Sequence, residues 1–199
     1  TFGDTIIITL RFRTPMRRDT QIMGAILLMR RYLFHSLEHE ILFRGAFSIG
    51  SYIEDSSTNT VMGEAVTDAA QWYEQAEWMG LISTPKTNSV LEYYLPPATL
   101  NKPRVMQKYP VPLKGNSTLD LYTVVWPGLF YDQSFLEIRK RTNSHKWFLE
   151  IFKEFSFPAQ ATPKYENTKK YFLYIDNQIT SSAIVPPVTS GAEAKGAVE

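Results

Sequence analysis

Residues 62–80 read MGEAVTDAAQWYEQAEWMG, and this stretch decides the expected fold because it places a helix between two strand-like segments. The apolar residues recur at steps of three and four, which is the spacing of one helix face. The pattern predicts a helix over 64–79 that Gly80 ends as its C′ residue. Tyr73 and Trp78 fall off the apolar stripe, so one of them is free to contact a partner. The predicted stripe consists of Ala65, Ala69, Trp72, Ala76 and Met79.

Two strand candidates and a long helix precede this stretch. Residues 5–12, TIIITLRF, are β-branched enough to predict a strand buried on both faces. Residues 21–40 repeat apolar side chains at helical spacing, and Asp19 or Thr20 can cap that helix. Residues 42–54, LFRGAFSIGSYIE, carry two glycines and predict a strand whose backbone approaches another group closely.

Shorter elements are predicted downstream, and they complete an α+β chain. We expect strands in 81–84, 90–97, 109–114 and 119–126, and helices over 134–155 and 164–179. This order predicts an α+β fold in which helices pack on one face of a mixed or antiparallel sheet. One domain is expected over 1–180, followed by a flexible tail over 181–199.

The composition excludes several classes of protein. The chain has 199 residues, with 21 basic and 20 acidic side chains, so no overall field attracts nucleic acid or a membrane surface. It has no cysteine, which excludes disulfides and thiolate metal sites; this fits a cytoplasmic protein and equally an exported protein without cysteines. No apolar run approaches the roughly 20 residues that a membrane-spanning helix needs. We expect a cytoplasmic location, no nucleic-acid partner and no membrane contact from this segment.

Several short motifs occur together in a recognisable order. They are FGD at 2–4, RGAFSIG at 44–50, QWYEQAEWMG at 71–80, PVPLKG at 110–115, VVWPG at 124–128 and KYENTKKYF at 164–172. In this order the chain resembles the class III nucleotidyl cyclase catalytic domain, with a ferredoxin-like core and a C-terminal helical extension. The closer resemblance is to the bacterial pyrimidine (uridylate or cytidylate) cyclases of anti-phage signalling. It covers Phe2 to about Tyr174, and it implies that a first strand and helix lie upstream of Thr1.

The resemblance implies a reaction, a cofactor and an assembly. A cyclase of this family converts a nucleoside triphosphate to a cyclic nucleotide and pyrophosphate, using Mg²⁺ or Mn²⁺ held by two aspartates. Asp4, after Gly3, matches one of these metal ligands, and the other would lie upstream of Thr1. The family places its active sites between two catalytic domains, which implies a homodimer. A pyrimidine triphosphate is the substrate that the resemblance favours.

The resemblance also implies site residues, and here the chain departs from the family pattern. The family has an asparagine four residues after the glycine that matches Gly63, and an arginine four residues later. These side chains steady the pentavalent phosphate. The matching positions are Thr67 and Gln71, and the base-reading acid corresponds to Thr60, so all three are uncharged. Loss of one such donor typically costs about 10²–10³ in rate unless another cation replaces it. Arg44 is a candidate substitute because a guanidinium fork fits phosphate oxygens.

Two hypotheses from different classes follow, and a third rests on a separate motif. The first is a metal-dependent nucleotidyl cyclase. The second is a pseudo-cyclase, a dimeric module that binds a nucleotide or a protein without turnover. The third is a zinc protease, because His35, Glu38 and His39 match the H-x-x-E-H pattern and stack one helical turn apart. That site would need a third ligand from elsewhere in the chain.

Overall fold

A four-stranded mixed sheet forms the centre of the structure, a computed structural model that describes residues 5–12, 17–101, 104–132, 148–150, 152–153 and 159–184. The strands are β1 (Arg44–Phe47), β2 (Ile53–Asp55), β3 (Thr60–Met62), β4 (Gly80–Ser83), β5 (Met106–Leu113) and β6 (Ser117–Val124). The sheet has the strand order β1-β4-β6-β5, and β2 and β3 form a separate hairpin. β1 runs parallel to β4, whereas β6 is antiparallel to both β4 and β5. The α+β class is therefore confirmed.

Helices precede, connect and follow these strands. The α-helices are α1 (Arg18–Glu38), α2 (Glu64–Trp72), α3 (Pro85–Tyr94), α4 (Pro97–Leu100) and α5 (Thr162–Ile184). Two 3-10 helices cover Trp126–Tyr131 and Ala159–Ala161. The expected helix over 134–155 lies mostly outside the described residues. The parts of it that are described, 148–150 and 152–153, are helical. Among the described helices, none combines the length and the apolar character needed to cross a membrane.

Alternate residues of the sheet point into two cores, so helices cover both of its faces. Within β6, Tyr122 and Val124 join the first core and Leu121 joins the second. Within β4, Leu81 packs against the first core and Ile82 belongs to the second. This alternation follows from the two-residue period of a strand. The first core includes residues of α1 and α3, and the second includes residues of α5, so the expectation of helices on one face was wrong.

The connection β1-α2-β4 is a parallel crossover whose helix ends earlier than the sequence predicts. α2 stops at Trp72, because the chain beyond it hydrogen-bonds to the end of β5: Glu77 N donates to Pro112 O at 2.8 Å and Lys114 N donates to Gln75 O at 2.9 Å. Gly80 begins β4 with a φ of 153° instead of ending a helix.

Trp78 is a core residue, which removes one of the two side chains that the sequence left free to contact a partner. Its side chain is fully buried in the second core. The indole stacks on Tyr109 with 5.5 Å between ring centroids and meets Tyr171 edge-on at 4.2 Å. The early end of α2 explains this position, since residue 78 no longer follows the helical stripe.

Most of the segment predicted as a strand over 90–97 is helical instead: residues 90–94 end helix α3, and Pro97 begins helix α4. Thr84 caps this helix by accepting a hydrogen bond from Thr87 N at 3.2 Å, and Pro85 occupies its first turn. Both features favour a helix start. The β-branched and aromatic side chains that suggested a strand lie on the helix, with Leu91 buried in the first core.

The N-terminal part of the chain also differs from expectation. Residues 5–12 form no strand, and Ile6, Ile7 and Ile8 are 58%, 46% and 53% exposed. A strand requires a neighbour for its N–H and C=O groups, and no described strand pairs with this segment. Helix α1 starts at Arg18 with Arg17 as N-cap and no side-chain cap; Asp19 lies in its first turn.

Candidate functional site: the exposed face of helix α2

Gly63 fixes the start of helix α2 against the chain that leaves β1. Its φ of 138° lies in a region that favours glycine. A Cβ at this position would lie 2.7 Å from Tyr52 Cα and 2.8 Å from Ser51 O, so the two backbones touch. Ala65 N donates to the same Ser51 carbonyl at 3.2 Å. Of the two glycines in 42–54 that predicted a close approach, Gly45 lies against the side chain of Leu81, where a Cβ would come within 2.7 Å of Cδ2, whereas the tightest backbone contact here is made by Gly63.

Thr67 and Gln71 lie one turn apart on α2, and both are exposed. The hydroxyl of Thr67 donates to Gly63 O at 3.1 Å, so its single proton is used within the helix. Gln71 makes no side-chain hydrogen bond within the described part of the chain, which leaves its amide free to donate. The structure thus brings Gly63, Thr67 and Gln71 together at one helix, and of the two side chains only that of Gln71 has a free donor.

Thr60 belongs to the β2-β3 hairpin, and its hydroxyl is hydrogen-bonded within the turn of that hairpin. Its hydroxyl donates to Thr58 O at 3.3 Å and accepts from Thr58 Oγ1 at 2.9 Å. Asp55, its partner across the hairpin, accepts from Ser57 and Thr58, and the side-chain hydrogen bond from Ser57 is the largest cause of the lowered pKa of Asp55. Thr60 lies three residues before Gly63 and is half-buried.

Arg44 lies at the other end of α2 from Gly63. It is the first residue of β1, and its Nη1 donates to Glu74 O at 3.3 Å, just beyond the C-terminus of α2. A guanidinium here interacts favourably with the negative end of the helix dipole. The structure therefore does not bring Arg44 to the Gly63 end of the site, and its observed contact is with backbone.

Sequence reasoning missed an aspartate network behind α2. Asp68 Oδ2 accepts hydrogen bonds from Ser48 Oγ at 2.6 Å and from Thr84 Oγ1 at 2.5 Å. The Thr84 hydroxyl also lies 3.0 Å from Thr87 Oγ1, which accepts from Ile49 N at 3.1 Å. Ser48 and Thr84 directly follow parallel strands β1 and β4, and that shared position was the available signal. The network fixes the rotation of α2 and so the direction of Thr67 and Gln71.

No described residues form the expected metal centre. Asp4 lies outside the described residues. Within them, no group of three or more His, Asp or Glu side chains is placed to hold a metal ion. His35 Nδ1 lies 3.3 Å from Glu38 Oε2, and the rings of His35 and His39 meet edge-on with 4.7 Å between their centroids. Among the described residues, no further His, Asp or Glu joins them in a group that could hold zinc.

No protein-family model, no curated protein and no solved structure matches this chain. The cyclase resemblance therefore rests on the order of the motifs quoted above. The geometry around α2 does not depend on that resemblance: the exposed side chains of the helix are Glu64, Thr67 and Gln71, and Glu74 is exposed just beyond its end.

Proposed function

We propose that this chain is a class III nucleotidyl cyclase-like domain that binds a nucleoside triphosphate at the exposed face of α2 and converts it to a cyclic nucleotide and pyrophosphate. The observation that carries the proposal is the Gly63 turn followed by Thr67 and Gln71 on one exposed helical face. The order of motifs around this helix supports the same reading. A pyrimidine base is the preferred substrate on the resemblance alone.

Three residues of α2 have simple roles in this proposal. The free amide of Gln71 donates a hydrogen bond to a phosphate oxygen, because amide N–H groups are suitable donors to anions. Thr67 Oγ1 retains acceptor capacity after donating to Gly63 O, and it contacts a hydroxyl of the ribose or an ordered water. Asp68 acts as a positioning residue through Ser48 and Thr84.

The proposal expects Mg²⁺ or Mn²⁺, with Asp4 as one ligand. The described residues offer no donor set that fits such an ion, so none of the roles above depends on it. A homodimer is part of the proposal because the family completes each site with a second domain. We further propose a cytoplasmic location, since the chain has no cysteine.

A second candidate, the pseudo-cyclase, is favoured by the charges around α2. The only proton of the Thr67 hydroxyl is used within the helix, and Arg44 contacts the opposite helix end. Lys86, beside the start of α2, forms an ion pair with Glu64. The site is thus poor in the positive charge that stabilises a phosphoryl-transfer transition state, whereas nucleotide binding alone requires less.

Product formation by the full-length protein separates the two candidates. Each of the four nucleoside triphosphates is incubated with the protein and Mn²⁺, and cyclic nucleotide is measured by mass spectrometry. The cyclase proposal expects product from at least one triphosphate and its loss in Asp4→Ala. Nucleotide binding without product supports the pseudo-cyclase, and a protein that no triphosphate stabilises against heating contradicts both.

A gain-of-function variant sharpens this test. Thr67→Asn together with Gln71→Arg restores the side chains that the family pattern has at these exposed positions. If α2 lines the catalytic site, the double variant increases the rate by about tenfold or more. Ser89→Asn on the exposed side of α3 is the control and leaves the rate unchanged. Equal rates in the wild type, the double variant and Ser89→Asn would show that α2 does not line the catalytic site.

A further inference from the structure

A groove of about 200 Å³ lies between the chain at 10–12 and helix α1. Residues 10–12 form one wall, and Gln21, Gly24, Ala25 and Leu28 of α1 form the other. These four residues follow one another at steps of three, one and three, so they share one face of the helix. A Cβ at Gly24 would meet nothing within 4 Å, which means that open space begins directly above the helix backbone. We call this space the α1 groove.

The wall formed by residues 10–12 is attached at both of its ends. Just before it, Thr9 Oγ1 donates to Glu54 Oε2 of strand β2 at 3.5 Å. At its other end, Phe12 packs against the first core. Helix α1 carries the opposite wall and contributes Ile22 and Ile26 to the same core. Both walls therefore belong to the folded structure, and the groove is formed before any ligand enters.

The α1 groove is mainly apolar, and its apolar side chains are open to solvent. Leu10 on one wall is 42% exposed, and Leu28 on the other is 51% exposed. Exposed apolar side chains that surround a concave surface are typical of ligand sites, where a few polar groups then fix the orientation of the ligand. The groove has this composition, because five of its seven lining residues carry no polar side chain.

Arg11 gives the α1 groove its charge. Its side chain is exposed, and it forms no ion pair with any residue that the structure describes. None of the residues that line the groove is acidic. A guanidinium binds a carboxylate through two parallel hydrogen bonds, and Arg11 can offer both of its outer N–H edges to such a group. The groove thus combines an apolar cleft with one cation and no anion.

We propose that the α1 groove binds a small apolar carboxylate. The hydrocarbon part lies over Gly24 between Leu10 and Leu28, and the carboxylate pairs with Arg11. A protein cavity of about 150 Å³ holds a benzene molecule, so this groove has room for one six-membered ring with a short chain. A stable protein partner would instead cover about 800 Å² of the surface, far more than the groove offers. The site shares no residue with the proposed nucleotide face on α2.

Phenylacetate is the probe, and its neutral analogue phenylacetamide tests the charge. Each compound is titrated into the full chain at constant ionic strength. Saturation-transfer NMR detects the bound ring, and the thermal midpoint gives an independent measure of binding. Saturable binding of phenylacetate is expected, and phenylacetamide is expected to bind about twofold to fivefold more weakly, as loss of an exposed ion pair predicts.

Two variants with matched controls assign the binding to the groove. Gly24→Leu fills the groove from its helical wall and abolishes binding, while the fold is kept because leucine favours a helix more than glycine does. Ser89→Leu adds the same side chain at an exposed position of α3 and binds as the wild type does. Arg11→Gln weakens phenylacetate binding about twofold to fivefold. Lys170→Gln removes one exposed charge from α5 and changes nothing.

Three results would overturn the proposal. They are a wild type without saturable phenylacetate binding, equal binding by Gly24→Leu and Ser89→Leu, and equal binding of phenylacetate and phenylacetamide. N-acetylphenylalanine amide represents a residue within a peptide. If it binds more tightly than phenylacetate, the groove accepts a side chain of a protein partner and the assignment to a small acid is wrong. Thr67→Asn/Gln71→Arg leaves phenylacetate binding intact, so this test is separate from that of the proposed function.

Discussion

Ser48 Oγ lies 2.6 Å from Asp68 Oδ2 and joins the end of β1 to helix α2 by a charge-assisted hydrogen bond. The same carboxylate oxygen accepts from Thr84, which follows β4. One side chain therefore connects the carboxyl ends of two parallel strands and the helix between them. Because Asp68 directly follows Thr67, this contact also fixes the orientation of the exposed face that we propose binds nucleotide.

Replacing Asp68 by alanine is expected to destabilise the protein by about 2 kcal/mol, since hydrogen bonds to charged groups contribute about 1.5–3 kcal/mol each and this one is part-buried. Urea denaturation measures the free energy of unfolding. Glu64→Gln on the same helix is the matched control: its ion pair with Lys86 is exposed, so the expected change is below about 0.5 kcal/mol. Equal effects of the two variants would show that the network contributes no more than a surface pair.

Gly63→Ala is expected to lower the free energy of unfolding by about 1–3 kcal/mol, because the backbone at φ 138° is strained for any L side chain and the new Cβ meets the backbone of Tyr52. Gly24 on α1 provides the opposite case. A Cβ there meets nothing within 4 Å, so Gly24→Ala is expected to stabilise the protein by about 0.5–1 kcal/mol. Thermal midpoints of both variants check the pair, and the same sign of change in both would contradict this account.

The protein is expected to lose stability above about pH 10. Burial raises the pKa of Tyr122 to about 12 and also raises the pKa of the fully buried Tyr171. A phenol with a raised folded pKa stabilises the fold fully below its unfolded value of 10.0, and this contribution is lost as pH rises toward the folded value. Each such tyrosine lowers the free energy of unfolding by about 1.4 kcal/mol per pH unit in that window.

Tyr171→Phe tests the largest of these contributions. Since Thr123 Oγ1 donates to Gln107 O at 3.0 Å, the Tyr171 hydroxyl is the donor in its 2.8 Å contact with Thr123. The variant loses that one hydrogen bond, about 1 kcal/mol at pH 7, and shows a shallower loss of stability between pH 10 and 12. Phe172→Leu, the neighbouring core residue, is the control and keeps the wild-type pH slope. Parallel slopes for all three proteins would exclude Tyr171 as the titrating group.

Gln71→Ala is expected to weaken triphosphate binding by about threefold to tenfold while leaving stability within about 0.5 kcal/mol of the wild type. The reason is that its amide is exposed and makes no hydrogen bond within the described residues. Isothermal titration with a non-hydrolysable triphosphate measures the affinity. Gln160→Ala, exposed in the 3-10 helix Ala159–Ala161, should bind as the wild type does, and unaltered binding by Gln71→Ala would place the nucleotide elsewhere.

Local patterns predicted the elements whose contacts are close in sequence. Strands β5 and β6 and helix α5 follow from alternation and helical spacing, and the shared face of Thr67 and Gln71 follows from a four-residue step. The elements that were predicted wrongly depend on contacts with residues distant in sequence or on a competing local signal. α2 ends early because residues near Ala76 pair with Leu113, and the Thr84-Pro85 start signal outweighs the strand-like residues of α3.

The same limit applies to the site. The chemistry of Asp68 depends on Ser48, 20 residues earlier, and on Thr84, 16 residues later. No spacing rule joins these positions, because only the parallel pairing of β1 with β4 brings the two hydroxyls to one carboxylate. The position of Arg44 at the far end of α2 also depends on that tertiary arrangement.

Both cores of the protein need helix α5, which is synthesised after the described strands. Its Phe172 belongs to the first core and its Tyr171 and Ile175 to the second, so both cores remain incomplete until this helix, which follows the described strands in the chain, has been synthesised. At roughly 5–20 residues per second, a ribosome needs several seconds to pass from the end of β6 to the end of α5. During that interval the apolar residues of the sheet that α5 later covers are exposed on the nascent chain. They are then the surface that a chaperone would bind.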